Sequence, residues 1–522
     1  MKKLLCYSLL LTLVIRLHAQ KQVDICIYGG TSAGVIAAYS ASRLGMKVLL
    51  IEPGNHLGGL SSGGLGQTDI GNKIAITGLS RDFYKRIGRH YGVEEQWIFE
   101  PHVAEEIFNQ YIAEATIEVW YNKIISSANK YKGNITQIKV VSTKNDSKLS
   151  QTIKARMYID CSYEGDMMAK AGVSFTIGRE SNSQYGETYN GVQLLEKHQF
   201  PDSIDPYKIP GKPGSGLLWG IQDTRLLSTG SADKSVQAYN FRLCLSTDKN
   251  NWVPIEKPSS YDSTMYDLLL RQIAITKPQE LNWQLMHIQP MPNHKTDINN
   301  NGGFSTDMIG SNFQYAEADY NTRKAIIAKH ENYTKGLLYF IGNDPRMPVH
   351  LQEEMKRYGY PKDEYIDHDH FTPQLYIREA RRMIGSYVMR QQNCQGIERV
   401  SDSIGLAAYT MDSHNCQRLI VNGMVKNEGD VQIGGFGPYP ISYRAIIPKK
   451  EDCTNLLVPV CLSATHIAYG SIRMEPVFMV LAQSAALAAS LAIVNKQTVQ
   501  KVNVLKLQYI LRSDPLLEHT RW

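Results

Sequence analysis

Val23-Asp24-Ile25-Cys26-Ile27-Tyr28-Gly29-Gly30-Thr31-Ser32-Ala33-Gly34 opens a stretch, closing at Gly58-Gly59, whose reading decides the fold. Val23 to Tyr28 predicts a strand, Gly29 to Gly34 a glycine turn, and Ala33 to about Leu44 a helix that Gly45 ends. Lys47-Val48-Leu49-Leu50-Ile51 predicts the next strand, closed by Glu52. Strand, turn, helix, strand and acid in this order begin a dinucleotide-binding βαβ unit. The glycines let the backbone turn tightly and approach a pyrophosphate, and the helix N-terminus offers N–H groups and a positive dipole end to its charge. Glu52 follows Gly34 by eighteen residues, where a carboxylate can accept hydrogen bonds from ribose hydroxyls.

Thr31 replaces the middle glycine of the G-x-G-x-x-G pattern, so the wider spacing carries the reading. Ala38 follows Gly34 by four, Gly45 follows Ala38 by seven, and Gly58-Gly59 follow Glu52 by six and seven. This longer pattern resembles the fingerprint of FAD enzymes built like glutathione reductase and p-hydroxybenzoate hydroxylase, in which the second glycine pair lies beside the cofactor. The resemblance implies FAD rather than NAD. It assigns cofactor contacts to Gly29, Gly30, Thr31, Ser32, Ala33, Gly34, Glu52, Pro53, His56, Gly58 and Gly59. His56 also lies where some flavoproteins carry a histidyl-FAD bond, which makes a covalent link a hypothesis to test.

A chain of 522 residues exceeds one compact core, and two intimately joined domains are expected. Residues 1–19 read as a secretory signal peptide: Lys2-Lys3, an apolar run from Leu4 to Ile15, and a cleavage site at Leu17-His18-Ala19. The apolar run is too short to span a bilayer, so no membrane anchor is expected, and the location is periplasmic or secreted. Removing Lys2, Lys3 and Arg16 lowers the formal charge from +6 to +3, and no basic run argues for nucleic acid. Seven cysteines remain without Cys6, an odd number, and Cys394 and Cys416 flank a segment short enough to pair in an oxidising compartment. No C-x-x-C occurs, which excludes disulfide-reductase motifs and zinc ribbons.

Glu118 to Ile159 alternates apolar and polar positions around turn residues at Asn129-Lys130 and Asn145-Asp146, predicting a β-meander. It leads to a strand ending at Asp160, which is expected to return to the nucleotide site, and then to a helix opened by Glu164-Gly165-Asp166. From 173 to 375 the character changes to short strands such as Val236 to Leu243 and helices over Tyr266 to Ala274 and Ala316 to Tyr339. The polar run Asp297 to Asp307 reads as a solvated or substrate-facing loop rather than a calcium site. Ile377 to Met389 predicts a helix carrying Arg378, Glu379, Arg381 and Arg382, whose arginines pair with acids across the domain junction. Asn455 to Val460 predicts a buried strand, and Val477 to Ile493 an alanine-rich helix.

The fold class expected is α/β: a three-layer, Rossmann-like FAD-binding domain with a parallel sheet plus β-meander, carrying an inserted α+β substrate or cap domain. Its parts are 20–172, the insert 173–375, and a return over 376–522. The glycine fingerprint, Asp160 to Asp166 and His466 to Pro476 resemble the secreted FAD-dependent oxidoreductases of glycan-degrading bacteria, some of which carry a xanthan lyase label. In FAD oxidoreductases the closing helix points its N-terminus at the flavin pyrimidine ring, which implies a cofactor contact for Glu475 and a role near the reacting atoms for His466 and Arg473.

No second dinucleotide fingerprint follows, because Pro438 and Pro440 spoil a helix start after Gly434-Gly435-Phe436-Gly437. Electrons then enter from a small-molecule or oligosaccharide substrate and leave to an unknown acceptor such as oxygen, a quinone or another carrier. The favoured chemistry is hydride transfer from a substrate C–H to flavin N5 with a base removing a proton. His466 and His414 are the candidate bases, with Asp412 placed to orient His414, and Arg473 is the candidate holder of negative charge on the flavin or on a substrate carboxylate. No metal ligand set is legible. The alternative is a polysaccharide lyase or glycoside-cleaving enzyme of the xanthan-lyase-labelled type.

Overall fold

The computed structural model describes residues 20–144 and 150–520. The expected signal peptide and the Asn145-Asp146 turn lie outside them.

A seven-stranded sheet is built on the fingerprint. Its order is β3 (Glu118–Trp120), β2 (Val48–Ile51), β1 (Gln20–Tyr28), β6 (Gln151–Asp160), β5 (Asn134–Ser142) and β4 (Lys123–Tyr131), with Leu456–Leu457 pairing β6. β1 runs parallel to β2 and β6, and β2 parallel to β3, whereas β4, β5 and β6 form antiparallel pairs. The expected meander is therefore one strand shorter than its sequence suggested: Glu118–Trp120 belongs to the parallel part. The hairpin turn falls at Lys132-Gly133, both at positive φ, rather than at Asn129-Lys130.

Period-2 alternation in β1 explains the layering. Ile25 and Ile27 join the apolar core beneath the helices, while Cys26 and Tyr28 join the core on the meander side. α1 (Ser32–Arg43) lies in the first layer with α2 (Gly78–His90) and α3 (Pro101–Glu114). The helix Glu475–Val494 packs against α1, α2 and β6. It is apolar and long enough to cross a bilayer, yet 94% of its most apolar window is buried within the protein, so it is a core helix here. Its small alanines, such as Ala482, Ala485 and Ala486, permit that close packing.

Residues 173–375 contribute the helices Asp267–Thr276, Tyr320–Asn343 and Val349–Met355, and the hairpin Met286–Met291 with Lys295–Asn300. Several local expectations fail here and in the return. Val236 to Leu243 forms only isolated bridges, because its backbone is consumed by pairing with three separate segments. Asp297 to Asp307 is not solvated: its first part is a strand, and Asp297, Phe304 and Asp307 are buried. Ile377 to Met389 is not a helix but extended chain, pairing at Arg382–Met383 with Phe175–Thr176. The arginine-acid pairs survive, as Arg378–Asp307, Arg381–Asp166 and Arg382–Glu180. All seven described cysteines are free and buried, so Cys394 and Cys416 do not pair; the Cys416 thiol faces the His414 carbonyl.

Candidate functional site

The glycine turn makes one wall of a cavity of ≈ 520 Å³. A Cβ on Gly34 would stand 1.8 Å from the Gly29 carbonyl oxygen, and one on Gly29 (φ +96) 2.7 Å from the Ser162 nitrogen. Only bare backbone lets the turn close against the loop after β6. Thr31 has its own reason for replacing a glycine: its Oγ1 caps α1 by accepting from Gly34 N–H (3.2 Å) and donates to the Cys161 carbonyl (2.9 Å). Ser32 and Ala33 start the helix, whose first turn holds no acidic residue of its own; the one carboxylate at this end is that of Glu475, on the Ser32 hydroxyl.

Glu52 and Pro53 line the same cavity beside Gly29, Thr31 and Gly59. The Glu52 carboxylate accepts from Gly30 N–H (2.7 Å) and Gly54 N–H (2.5 Å), yet burial outweighs these bonds and pushes its pKa to about 7. Such a carboxylate gains from further donors, which ribose hydroxyls supply. Gly58 (φ +100) and Gly59 (φ +56) hold left-handed backbone. Beyond them, Glu475 heads its helix and gathers the Ser32 hydroxyl, the Ser61 hydroxyl (3.1 Å) and the Tyr163 hydroxyl (2.7 Å). Burial raises its carboxyl above the usual range, which eases its place near a phosphate-binding helix end. Glycine cradle, helix end and desolvated acid fit FAD, with the turn for the pyrophosphate and Glu52 for the ribose.

Of the expected cofactor contacts, Gly29, Thr31, Glu52, Pro53, His56 and Gly59 line the cavity, and Gly30, Ser32, Ala33, Gly34, Gly58, Asp160 and Glu475 stand behind it. Asp160 does not line the cavity; its carboxylate is spent on Ser162 N–H (3.1 Å), the Ser162 hydroxyl (2.6 Å) and Met168 N–H (2.8 Å), so it fastens the loop behind the turn. His56 does line the cavity, but Nδ1 meets Glu105 (2.9 Å) and Nε2 meets Asp367 (3.1 Å). The hydrogen bond to Glu105 and the charge of Asp367 raise its pKa, and with both nitrogens engaged neither is free to attack a flavin.

A second constellation lies behind one thickness of chain. Leu375 and Ile377 face the cavity, whereas the intervening Tyr376 and the following Arg378 face away, into a buried charged cluster. There Arg473 donates to the Tyr376 hydroxyl (2.6 Å) and to the Asp412 carbonyl (3.0 Å) and carboxylate (3.2 Å). His414 stands between Asp307 (Nδ1, 3.0 Å) and Asp412 (Nε2, 3.6 Å). Burial and Arg378 oppose its charge, but the two carboxylates win and its pKa is raised. Arg242 grips Asp297 with two bonds (2.8 and 2.6 Å) and lies 3.8 Å from Asp69. Asp69 and Asp412 keep 29% and 15% of their side chains open, and burial nevertheless raises the Asp69 pKa, the mark of a narrow crevice.

His466 and Arg473, read together from sequence, part company. His466 begins a short helix, His466–Ile472, with Nδ1 on Glu379 (2.7 Å) and Nε2 on the Ser413 hydroxyl (2.9 Å). Burial would raise Glu379, but His466 and Arg382 bring it down to about 2. Gln237 links this group to the other, donating to Glu379 (3.0 Å) and accepting from His414 N–H (3.3 Å). His466 is thus buried and sealed by its own partners. Sequence reasoning did not single out Asp69, Arg242, Tyr376 or Asp307; the charged residues of Asp297 to Asp307 were the available signal, read there as a solvated or substrate-facing loop.

Glu100, His102, Asp363 and Glu364 also bring ligand atoms within 4.8 Å of one another. The Lys295 ammonium already sits among them, at 2.8, 2.8 and 2.6 Å from Glu100, Asp363 and Glu364, and takes the place a cation would hold.

Fold and cavity together define a dinucleotide-binding α/β flavoprotein. The family described as FAD dependent oxidoreductase matches residues 24–511, and the chain belongs to that family. No curated protein matches significantly. Among solved structures, Thermovibrio ammonificans THI4 is similar at 15% identity over 30% of this chain and 66% of its own (TM-score 0.25). OxyS anhydrotetracycline hydroxylase from Streptomyces rimosus is 11% identical over 37% and 39% (TM-score 0.25). The bacillithiol disulfide reductase of Bacillus cereus is 17% identical over 27% and 39% (TM-score 0.20). The match spans less than two thirds of each of these proteins.

Proposed function

We propose that this FAD-dependent oxidoreductase dehydrogenates a carbohydrate or related small polar substrate at the charged crevice, as an exported protein in glycan utilisation. FAD, when bound, supplies the two-electron acceptor for a substrate hydride. The chain supplies the proton acceptor and the positioning. Oxidation of a secondary alcohol breaks one C–H and one O–H bond and forms C=O; the hydride would pass to FAD reaching past Leu375 and Ile377 to the crevice, and Asp69 would take the O–H proton. The observation that carries this is Asp69 itself: a partly open carboxylate of raised pKa, held by the Tyr409 hydroxyl (3.2 Å). His414, its pKa raised between Asp307 and Asp412, ties those acids together and through Asp412 the guanidinium of Arg473; both its nitrogens are engaged, and the base is assigned to Asp69.

Anaerobic titration of the flavin-loaded protein with sugars and polyols tests the reading. A reducing substrate bleaches the flavin, and Asp69→Asn slows bleaching by ~10²–10⁴-fold with FAD content unchanged. Glycan cleavage without any change in the flavin spectrum would return the lyase alternative.

A further inference from the structure

Every cation of the crevice is already matched to an acid. Arg242 spends Nε and Nη2 on Asp297. Arg378 donates Nη1 to the Ala238 carbonyl and pairs by charge with Asp307 (2.8 Å), and Arg473 spends Nη2 on Asp412. His414 is shared between Asp307 and Asp412. Two carboxylates are held more loosely: Asp69, and Asp430, which feels the charges of His414, Asp412 and Asp307. Asp69 has the Tyr409 hydroxyl and a distant edge of Arg242, and Asp430 has only Gln432 (3.2 Å) on one oxygen, while its Oδ2 is buried without a partner. Burial raises the carboxyls of both, that of Asp430 to about 7, so the crevice is close to charge balance, and every guanidinium in it already faces an acid.

It is not a purely accepting surface, however. The Nε–H groups of Arg473 and Arg378 are buried and unpartnered, on residues 4% and 1% exposed. Neutral hydroxyls answer both needs at once, because each donates one hydrogen bond and accepts others. An ammonium donates only and leaves the guanidinium N–H groups unanswered; a carboxylate accepts only and meets Asp69 as a like charge. Resting on the crevice being the substrate site, we infer that its substrate is an uncharged polyhydroxylated ring, a neutral sugar unit, and not a uronate or an amino sugar. Asp69 takes the hydrogen bond of a ring hydroxyl and Arg473 Nε–H gives one to the oxygen of the same or the adjacent hydroxyl. The role suggested for Arg473 by the sequence, a clamp on a substrate carboxylate, gives way to this one, since freeing its charge would abandon buried Asp412.

The test is calorimetric binding to the FAD-loaded protein of matched series: methyl glycosides of glucose, galactose and mannose, their uronic acid forms and their 2-amino forms, with the corresponding disaccharides. The neutral member of a series is expected to bind at least ~10-fold more tightly than its uronate or amine. Asp69→Asn and Arg473→Lys, the second keeping the charge and losing the Nε–H, are each expected to weaken the neutral sugar ~10-fold or more at unchanged FAD content, and Asp69→Asn to narrow its lead over the uronate. A uronate or amine that outbinds its neutral partner overturns the inference while leaving the site. Binding unchanged in both variants overturns the site reading itself, as does a full panel in which nothing binds.

Discussion

The cofactor turn and the charged crevice are separated by one strand's thickness, Leu375 to Arg378, but they are built on opposite principles. The turn is made by bare backbone from one contiguous stretch, where the absence of side chains is the functional property. The crevice is made by long side chains from five places in the chain: Asp69, Arg242, the 297–307 segment, the 376–378 segment and the 412–473 region. One excludes atoms and waits for a ligand's charge; the other has already balanced its own. Damage to the first should therefore be steric and absolute, and damage to the second electrostatic and graded.

Gly34→Ala is the largest expected effect. Its methyl would meet the Gly29 carbonyl oxygen at 1.8 Å, and no flexible side chain is there to yield. The expected product is insoluble or FAD-free protein, read by the 450 nm flavin band per mole of chain. A soluble variant with full flavin content would break the view of the turn as a steric device.

Asp307→Asn comes next. Asp307 is 1% exposed and holds both Arg378 (2.8 Å) and His414 (3.0 Å), so its loss leaves buried Arg378 without a carboxylate and His414 with Asp412 alone. The expected cost is roughly 3–5 kcal/mol of stability, seen as a fall of the thermal midpoint at fixed scan rate. If FAD content at 20 °C holds while the midpoint falls, the two regions are energetically separable; loss of both would mean that the wall transmits the damage.

This contrast also explains what could be read from sequence. Spacing along one stretch reported the strand, turn, helix and acid, because a βαβ unit closes on itself and its glycines answer to local backbone geometry. The extended course of Ile377 to Met389 was not legible, since its helical spacing of charges reflects acids on distant segments and not a helix face. Asp297 to Asp307 misled for the same reason: composition marks a polar run, but only the tertiary fold brings Arg242 and Arg378 to bury it. Asp160 was correctly placed at the strand end, yet its bonds to Ser162 and Met168 face the loop behind the turn.

A smaller effect sharpens the turn side. Glu52 has its folded pKa raised from 4.5 to about 7, so the FAD-free protein holds a proton there that the unfolded chain has lost. Its stabilising contribution is complete below about pH 4.5 and is lost as pH rises through 7. Ribose hydroxyls donate to the ionised form, so FAD affinity should run the opposite way, rising with pH up to about 7 by at most ~10-fold per unit and releasing a proton on binding. Titration in two buffers of different ionisation enthalpy measures that proton. Glu52→Gln should flatten the profile, and a flat wild-type profile would remove Glu52 from the ribose.

His56→Ala should do least, and its size decides whether the clasp between the halves matters. The imidazolium joins Glu105 on α3 to Asp367 on the insert across the cavity, but its side chain is 31% exposed and Asp367 is 53% exposed. Ion pairs so open to solvent are worth ~0.2–1 kcal/mol, which corresponds to at most about a five-fold faster FAD dissociation. Acid precipitation should release FAD to the supernatant from wild type and variant alike, because no ring nitrogen is free to bond the flavin. Yellow colour retained in the wild-type pellet and lost in the variant would instead show that the cofactor displaces one of the carboxylates. The turn would then no longer be a site of bare backbone alone, and the comparison with the crevice would have to be redrawn around a covalent anchor.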